Sequence, residues 1–284
     1  NLNSLMNIKV KGGQVISGEL TPSGSKNSIV ALIPATILFN EPVILSNVPE
    51  IKDVDRLLNI IKKLGGKVDW NKGKKELTID NSKLRFEGLD KEDLGNMKGT
   101  SLLWGPMLAR FKKVLFSQLP GGCTLGVRPL GPQFDSFKDL GVKVNNGNRQ
   151  ASMDATEAHS SEVWVPEMSP TITENIVMLA TGLKGKTKIV GAASEPQVQD
   201  LCNFLLVCGA KITGIGSSII EVEGGYSLTP KKHTILSDHY EIATFIAMAV
   251  ATGGELKVKN AIPEMFKHIN YIFNKFGVEI EYKG

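Results

Sequence analysis

The residues with most chemical reach are a cysteine, a lysine and an arginine, carried by two short glycine-bearing phrases. Cys123 sits in Leu119-Pro120-Gly121-Gly122-Cys123-Thr124-Leu125-Gly126-Val127-Arg128-Pro129. Flanking glycines let the backbone approach a ligand closely. Positive neighbours favour the thiolate, so this loop is a place for a reactive thiol. Lys26 belongs to Ser23-Gly24-Ser25-Lys26-Asn27. A cation at a helix start opposes the helix dipole. Its presence there favours a second purpose, a point charge for a phosphate or carboxylate. Arg128 can grip a phosphate through two N–H groups at once. Cys202 and Cys208 lie in an apolar helical run and read as core thiols.

These phrases must be held by a scaffold, and the scaffold is a repeat. Four segments end in an apolar helix, a small turn and a short strand. They are Ile60–Val68, Phe137–Val144, Leu205–Ile212 and Phe273–Ile280. A glycine recurs in them at 65, 141, 209 and 277, where a helix C-terminus needs a left-handed residue. Each following strand alternates apolar and polar residues, as a half-buried strand does. Upstream in each unit a second helix leads into a β-rich run, as in Ile29–Leu38 before Val43–Ser46 and Ile242–Ala251 before Glu255–Val258. Asn47-Val48-Pro49, Gly191–Pro196 and Asn260–Pro263 occupy matching places after that run. Each unit therefore reads helix, strand, turn, helix, strand, strand. Units of about 70 residues must share a core, with helices inside and sheets outside or the reverse.

Composition narrows the classes. Of the 284 residues, 42% are hydrophobic and 22% charged. That balance supports a buried core. The net charge of +4 is spread along the chain. It is not gathered into the basic stripe a nucleic acid needs, so no nucleic-acid partner is expected. No run of about 18 apolar residues suggests a membrane span. Three cysteines without an export signal point to free thiols in a reducing cytoplasm. The histidines, at 159, 233, 239 and 268, are scattered and show no metal-ligand spacing, so no metal is expected.

The two glycine-bearing phrases resemble those of the UDP-N-acetylglucosamine enolpyruvyl transferase family. Gly18-Glu19-Leu20 with Ser23–Asn27 is similar to its N-terminal signature, and Pro120–Cys123 with Arg128-Pro129 to its catalytic loop. Further likeness comes from Pro42–Val54, Gly105–Phe111, Thr173–Ile176, and Glu195-Pro196 with Asp200-Leu201. The resemblance implies an inside-out α/β barrel built from six repeats, of which this sequence shows four. It implies a first domain over 26–223, and an incomplete second domain over 7–25 plus 224–284. It also implies an activity: transfer of the enolpyruvyl group of phosphoenolpyruvate to the 3-hydroxyl of UDP-N-acetylglucosamine, with release of phosphate. That step begins peptidoglycan precursor synthesis. The reaction is addition followed by elimination through a tetrahedral ketal, without a cofactor. A non-catalytic sugar-nucleotide-binding relative and a 5-enolpyruvylshikimate 3-phosphate synthase-like enzyme are the alternatives. A monomer or weak homo-oligomer is expected.

Carried over residue by residue, the resemblance makes Cys123 the acid and covalent residue and the target of fosfomycin. Lys26, Asn27 and Arg128 would hold phosphoenolpyruvate. Asn27, Lys98, Arg128, Pro129, Leu130, Gly131, Ser169 and Pro170 would hold the sugar nucleotide. Ser169 equally suits a helix cap. Asp238, with Glu241, reads better as a cap than as a site residue. The sequence departs from the family pattern at four places. Lys98 stands where arginine is usual, Gly131 and Gln133 where an aspartate and a histidine are, and Glu167 where a lysine is common. The units that bring the family's base and its remaining arginines are absent from this sequence.

Overall fold

Ser25 starts the first helix by accepting the Ser28 N–H on its hydroxyl at 3.3 Å. One of the N–H groups that every helix start leaves unpaired is thereby satisfied. Helix α1 (Lys26–Ala35) then runs apolar on all sides and is buried from Ser28 onward except for half-buried Val30. A tighter turn, Thr36–Leu38, extends it. The computed structural model describes residues 8–86, 98–116, 129–147 and 150–283. Pro34 supplies no N–H to the last turn of α1. The guanidinium of Arg110 fastens the chain beyond it, donating to Ile37 O (2.9 Å), Phe39 O (3.1 Å) and Asn81 O (2.8 Å). Helix α2 (Lys52–Lys63) is amphipathic instead: Val54, Leu57, Leu58, Ile60 and Ile61 turn inward. Asp53 and Asp55 fall in its first turn and Lys62 and Lys63 in its last, matching the dipole, which only Lys52 at the start opposes.

The chain divides into two units, Gly24–Leu236 and the combination of 1–23 with 237–284. The larger holds three repeats. The first is α1, β2 (Val43–Ser46), α2, β3 (Lys67–Asn71) and β4 (Glu76–Asp80). The second is α3 (Trp104–Phe111), β5 (Lys113–Phe116), α4 (Gly131–Asp139), β6 (Lys143–Gly147) and β7 (Gln150–Asp154). The third opens with β8 (Glu162–Trp164), then α5 (Pro170–Thr181), β9 (Gly185–Val190), α6 (Pro196–Val207), β10 (Lys211–Thr213) and β11 (Ile219–Gly224). Helices lie inside, and the strands bury alternate residues against them. Gly65, Gly141, Gly209 and Gly277 all take left-handed φ, from 76° to 103°, as the repeat reading expects. So do Asn47, Gly191 and Asn260, the three matched positions after the first strand of a repeat.

Sheet order in the third repeat is β10-β11-β9-β8, with β8 parallel to β9 and the other pairs antiparallel. The first repeat has the same pattern, β3-β4-β2-β12, but its parallel strand β12 (His233–Thr234) arrives from far along the chain. The interior is tight where α3 meets α5. A Cβ on Gly105 would lie 2.2 Å from Asn175 O, and the Gly105 N–H donates to Asn175 Oδ1 at 2.7 Å. Trp104 stacks on Phe134 with ring centroids 5.4 Å apart. An offset aromatic pair of this kind fills the space between α3 and α4.

In the smaller unit, β1 (Gly18–Leu20) pairs parallel with β13 (Leu256–Val258). Helix α7 (His239–Ala251) and helix α8 (Lys267–Lys275) complete the described elements. Of residues 8–20, only Gly18–Leu20 pairs as a strand. Val278–Ile280, read as a strand from sequence, forms none. In the other repeats the matching strand pairs with the strand that follows it, and no described residue takes that role here. No helix of the described residues is long and apolar enough to cross a membrane.

Candidate active site

Lys26 is the first residue of α1, and what sets it there is the corner before it. Gly24 is pressed against the turn at Asn47, and a Cβ on Gly24 would lie 1.9 Å from Asn47 O. No other residue fits there without moving the backbone. Asn47 is itself left-handed (φ 60°), and its Nδ2 donates to Ile235 O at 3.0 Å. Ser25 N–H donates to Leu236 O at 2.7 Å. The start of α1 is thus gripped from two sides, and the lysine side chain projects into solvent.

Lys26 Nζ lies 3.2 Å from Asp53 Oδ2, and Arg56 approaches Asp53 Oδ1 at 3.9 Å. The Lys26 and Arg56 side chains are more than half exposed. Asp53 is half-buried, but pairs whose cation lies in solvent typically contribute only about 1 kcal/mol or less. A multiply charged anion can therefore take Lys26 from Asp53. The positive end of the α1 dipole, with no acid in its first turn, adds to that preference. Asn27 is half-buried beside it. Asp53 belongs to a stretch that carried the resemblance, yet nothing in the sequence assigned it to Lys26; an acid in the first turn of an amphipathic helix reads equally well as a dipole partner.

Cys123 and Arg128 lie outside the described residues. Pro129 and Leu130 lead into α4, where Gly131 is the first residue and Pro132 follows within the first turn. Gln133 is buried in that helix. Lys98 begins the turn Lys98–Leu103 ahead of α3.

Ser169 and Pro170 belong to a second group at the start of α5. Ser169 takes the N-cap position, but its hydroxyl makes no cap bond; its carbonyl instead accepts both the N–H (3.0 Å) and the hydroxyl (2.9 Å) of Thr173. The capping alternative therefore fails for the side chain. Ahead of it, Glu167 (φ 62°) and Met168 (φ 46°) are both left-handed. That conformation is costly for residues with side chains. The sequence gives no sign of that turn. Further along α5, Glu174 is buried with Oε1 unpartnered. Burial first, and the charge of Glu195 second, push its carboxyl well above the usual range. Asp238 does cap α7, its Oδ1 accepting from Tyr240 N–H (2.9 Å) and Glu241 N–H (3.1 Å).

Two of the cavities on the described residues are not lined by these site residues. One, about 630 Å³, lies on the β5-β7-β6 sheet beside Phe86 and Leu115; the other, about 430 Å³, lies around Arg110, Thr181 and Tyr226.

Residues 10–284 match the family model of EPSP synthase (3-phosphoshikimate 1-carboxyvinyltransferase). The chain belongs to that family. Among curated relatives, the UDP-N-acetylglucosamine 1-carboxyvinyltransferase 2 of Bacillus cereus is 36% identical over 272 residues, covering 96% of this chain and 63% of its own length. That of Borrelia garinii is 37% identical over 273 residues, with the same shares covered. The Staphylococcus haemolyticus UDP-N-acetylglucosamine 1-carboxyvinyltransferase 1 is 35% identical over 278 residues, covering 98% and 65%. The chain thus spans less than two thirds of the length of these relatives. Two solved structures share the fold at 18% identity. The enolpyruvyl transferase NikO from Streptomyces tendae has a TM-score of 0.79, covering 96% of this chain and 65% of its own. An EPSP synthase from Acinetobacter baumannii has a TM-score of 0.72, covering 94% and 60%. The enolpyruvyl transferase fold expected from sequence is the fold observed.

Proposed function

We propose that this protein transfers the enolpyruvyl group of phosphoenolpyruvate to the 3-hydroxyl of UDP-N-acetylglucosamine, releasing phosphate, as the first committed step of peptidoglycan synthesis in the cytoplasm. The observation that carries the reading is Lys26. It is an exposed cation at the positive end of a buried helix, held by a weak pair that an anion can displace. The names of the relatives at 35–37% identity support the sugar nucleotide as acceptor.

In this reading the acceptor hydroxyl gives its proton to solvent as its oxygen bonds to C2 of phosphoenolpyruvate, while a proton reaches C3. A proton then returns from C3 to the Cys123 thiolate, its electron pair forms the C2–C3 double bond, the bond from C2 to the phosphate oxygen breaks, and phosphate departs. Cys123 supplies the proton to C3. Lys26 and Arg128 neutralise the donor's phosphate and carboxylate, and Asn27 hydrogen-bonds the bound molecules. Ser169 and Pro170, with Pro129, Leu130, Gly131 and Lys98, form the sugar-nucleotide side. Lys98 keeps a charge but lacks the arginine fork, which favours a weaker grip on the diphosphate.

Phosphate release measured with both substrates tests this. We expect Lys26→Ala to lower kcat/KM by about 100-fold or more, through loss of a charged contact to the reacting anion. Fosfomycin should alkylate Cys123, read by mass spectrometry. Binding of the sugar nucleotide with no adduct and no phosphate release would select a non-catalytic binder. Phosphate release with shikimate 3-phosphate alone would select the sister reaction.

A further inference from the structure

One buried charge in the larger unit has no part in the chemistry proposed above. Asp200, on α6, is 1% exposed. Its Oδ1 lies 2.7 Å from His233 Nε2, and its Oδ2 accepts the Leu236 N–H at 3.4 Å. His233 is also packed, its ring 5.3 Å from that of Phe204. A buried carboxylate is costly unless its oxygens are hydrogen-bonded. Replacing it with an apolar side chain would remove that cost, so the group is kept for what it holds. What it holds is the short segment 233–236.

That segment is the brace behind the lysine. Leu236 O accepts the Ser25 N–H at 2.7 Å, and Ser25 caps the helix that Lys26 begins. On its other flank the segment is tied to the end of β2. Ile235 N–H donates to Ser46 O (3.0 Å), Ser46 Oγ to His233 O (3.2 Å), and Asn47 Nδ2 to Ile235 O (3.0 Å). Strand β12 pairs through only two residues, His233 and Thr234, so its ladder alone is a weak anchor. The side-chain pair supplies the rest.

We infer that Asp200 and His233 are a positioning pair for the anion site, fixing residues 233–236 and through Leu236 and Ser25 the place of Lys26 and Asn27. The inference rests on the reading of Lys26 as an anion contact. Neither residue touches the anion; both act through the backbone of 235–236.

The test uses the full chain with its lysines reductively methylated with carbon-13, the Lys26 signal being assigned by its loss in Lys26→Arg. Phosphoenolpyruvate is titrated in the presence of UDP-N-acetylglucosamine. In Asp200→Asn and His233→Leu the Lys26 resonance should move toward that of a free surface lysine, and affinity for phosphoenolpyruvate should fall about tenfold, a typical consequence of misplacing a contact group. His233→Gln keeps an N–H toward Asp200 and should stay within about twofold of the parent. An unmoved resonance with undiminished affinity in Asp200→Asn overturns the inference, as does His233→Gln behaving like His233→Leu. Should His233→Leu fail to fold, Asp200→Asn and His233→Gln decide. If Lys26→Ala binds phosphoenolpyruvate as tightly as the parent, the anion-site reading fails. The Lys26 resonance without ligand then still decides whether the pair positions that residue.

Discussion

A carboxyl group taken out of water without a hydrogen bond holds its proton to higher pH, and Glu174 is such a group. Its Oε1 is buried and unpartnered, desolvation dominates, and the nearby charge of Glu195 opposes ionisation further. The folded value is raised above the unfolded one, so the folded chain holds an extra proton between the two. Stability is then full below the ordinary glutamate range and declines as pH rises toward the folded value, by up to about 1.4 kcal/mol per pH unit for one proton. Glu174→Gln keeps the shape and removes the proton. Thermal melts should show the variant gaining on the parent as pH rises above the ordinary glutamate range; parallel curves would mean that Glu174 finds a partner when folded. The same burial governs the thiols. Cys202 is pushed up to about 12, chiefly by desolvation, and Cys208 is raised by burial too. Neither is a thiolate at neutral pH. Brief treatment of the native chain with iodoacetamide at pH 8 should leave both unmodified, whereas after denaturation both should react. Modification of Cys202 without unfolding would contradict its placement in α6.

The elements were legible in proportion to how local their cause is. Glycines at 65, 141, 209 and 277 announce helix ends because a left-handed φ is a property of one residue and its neighbours. Asn47 and Asn260 could be matched to Gly191 for the same reason. What the sequence hid is non-local. Strand β12 is two residues long and joins β2 across 188 positions, and Arg110 reads as an ordinary helix-end cation until its three carbonyl partners are seen. In the candidate site, Lys26 begins its helix as read, but its partner Asp53 went unassigned. Gly105 lies between these extremes. It matches a family phrase, yet its reason is the approach of α3 to α5. Gly105→Ala would set a methyl group 2.2 Å from Asn175 O and strain the bond from its own N–H to Asn175 Oδ1. Overpacking of this kind costs about 1–3 kcal/mol, and a strained buried hydrogen bond adds to it. Urea unfolding should show a lower midpoint with an unchanged slope; an unchanged midpoint would mean that the two helices can separate freely.

Across the whole molecule, burial is distributed unevenly, and that makes stability uneven. Helices α1, α5 and α7 are all apolar on most sides. In α5 every residue from Ile172 to Thr181 is buried, and in α1 nearly every residue from Ser28 on. In α7 only His239, Ile242 and Ala249 are, and in α8 none. Phe276 is 80% exposed and Tyr271 58%. A helix is held mainly by the apolar face it buries, because segments as short as α7 and α8 are marginal alone. The amides of α7 and α8 should therefore open by local fluctuation, while those of α1 and α5 open only when the Gly24–Leu236 unit unfolds. Hydrogen exchange of the chain as it stands should show α7 and α8 exchanging faster by a factor on the order of 100 or more, since local and global opening differ by several kcal/mol. Equal protection in all four helices would show that the exposed faces of α7 and α8 are covered in solution, and gel filtration across a concentration series would reveal whether a second copy covers them.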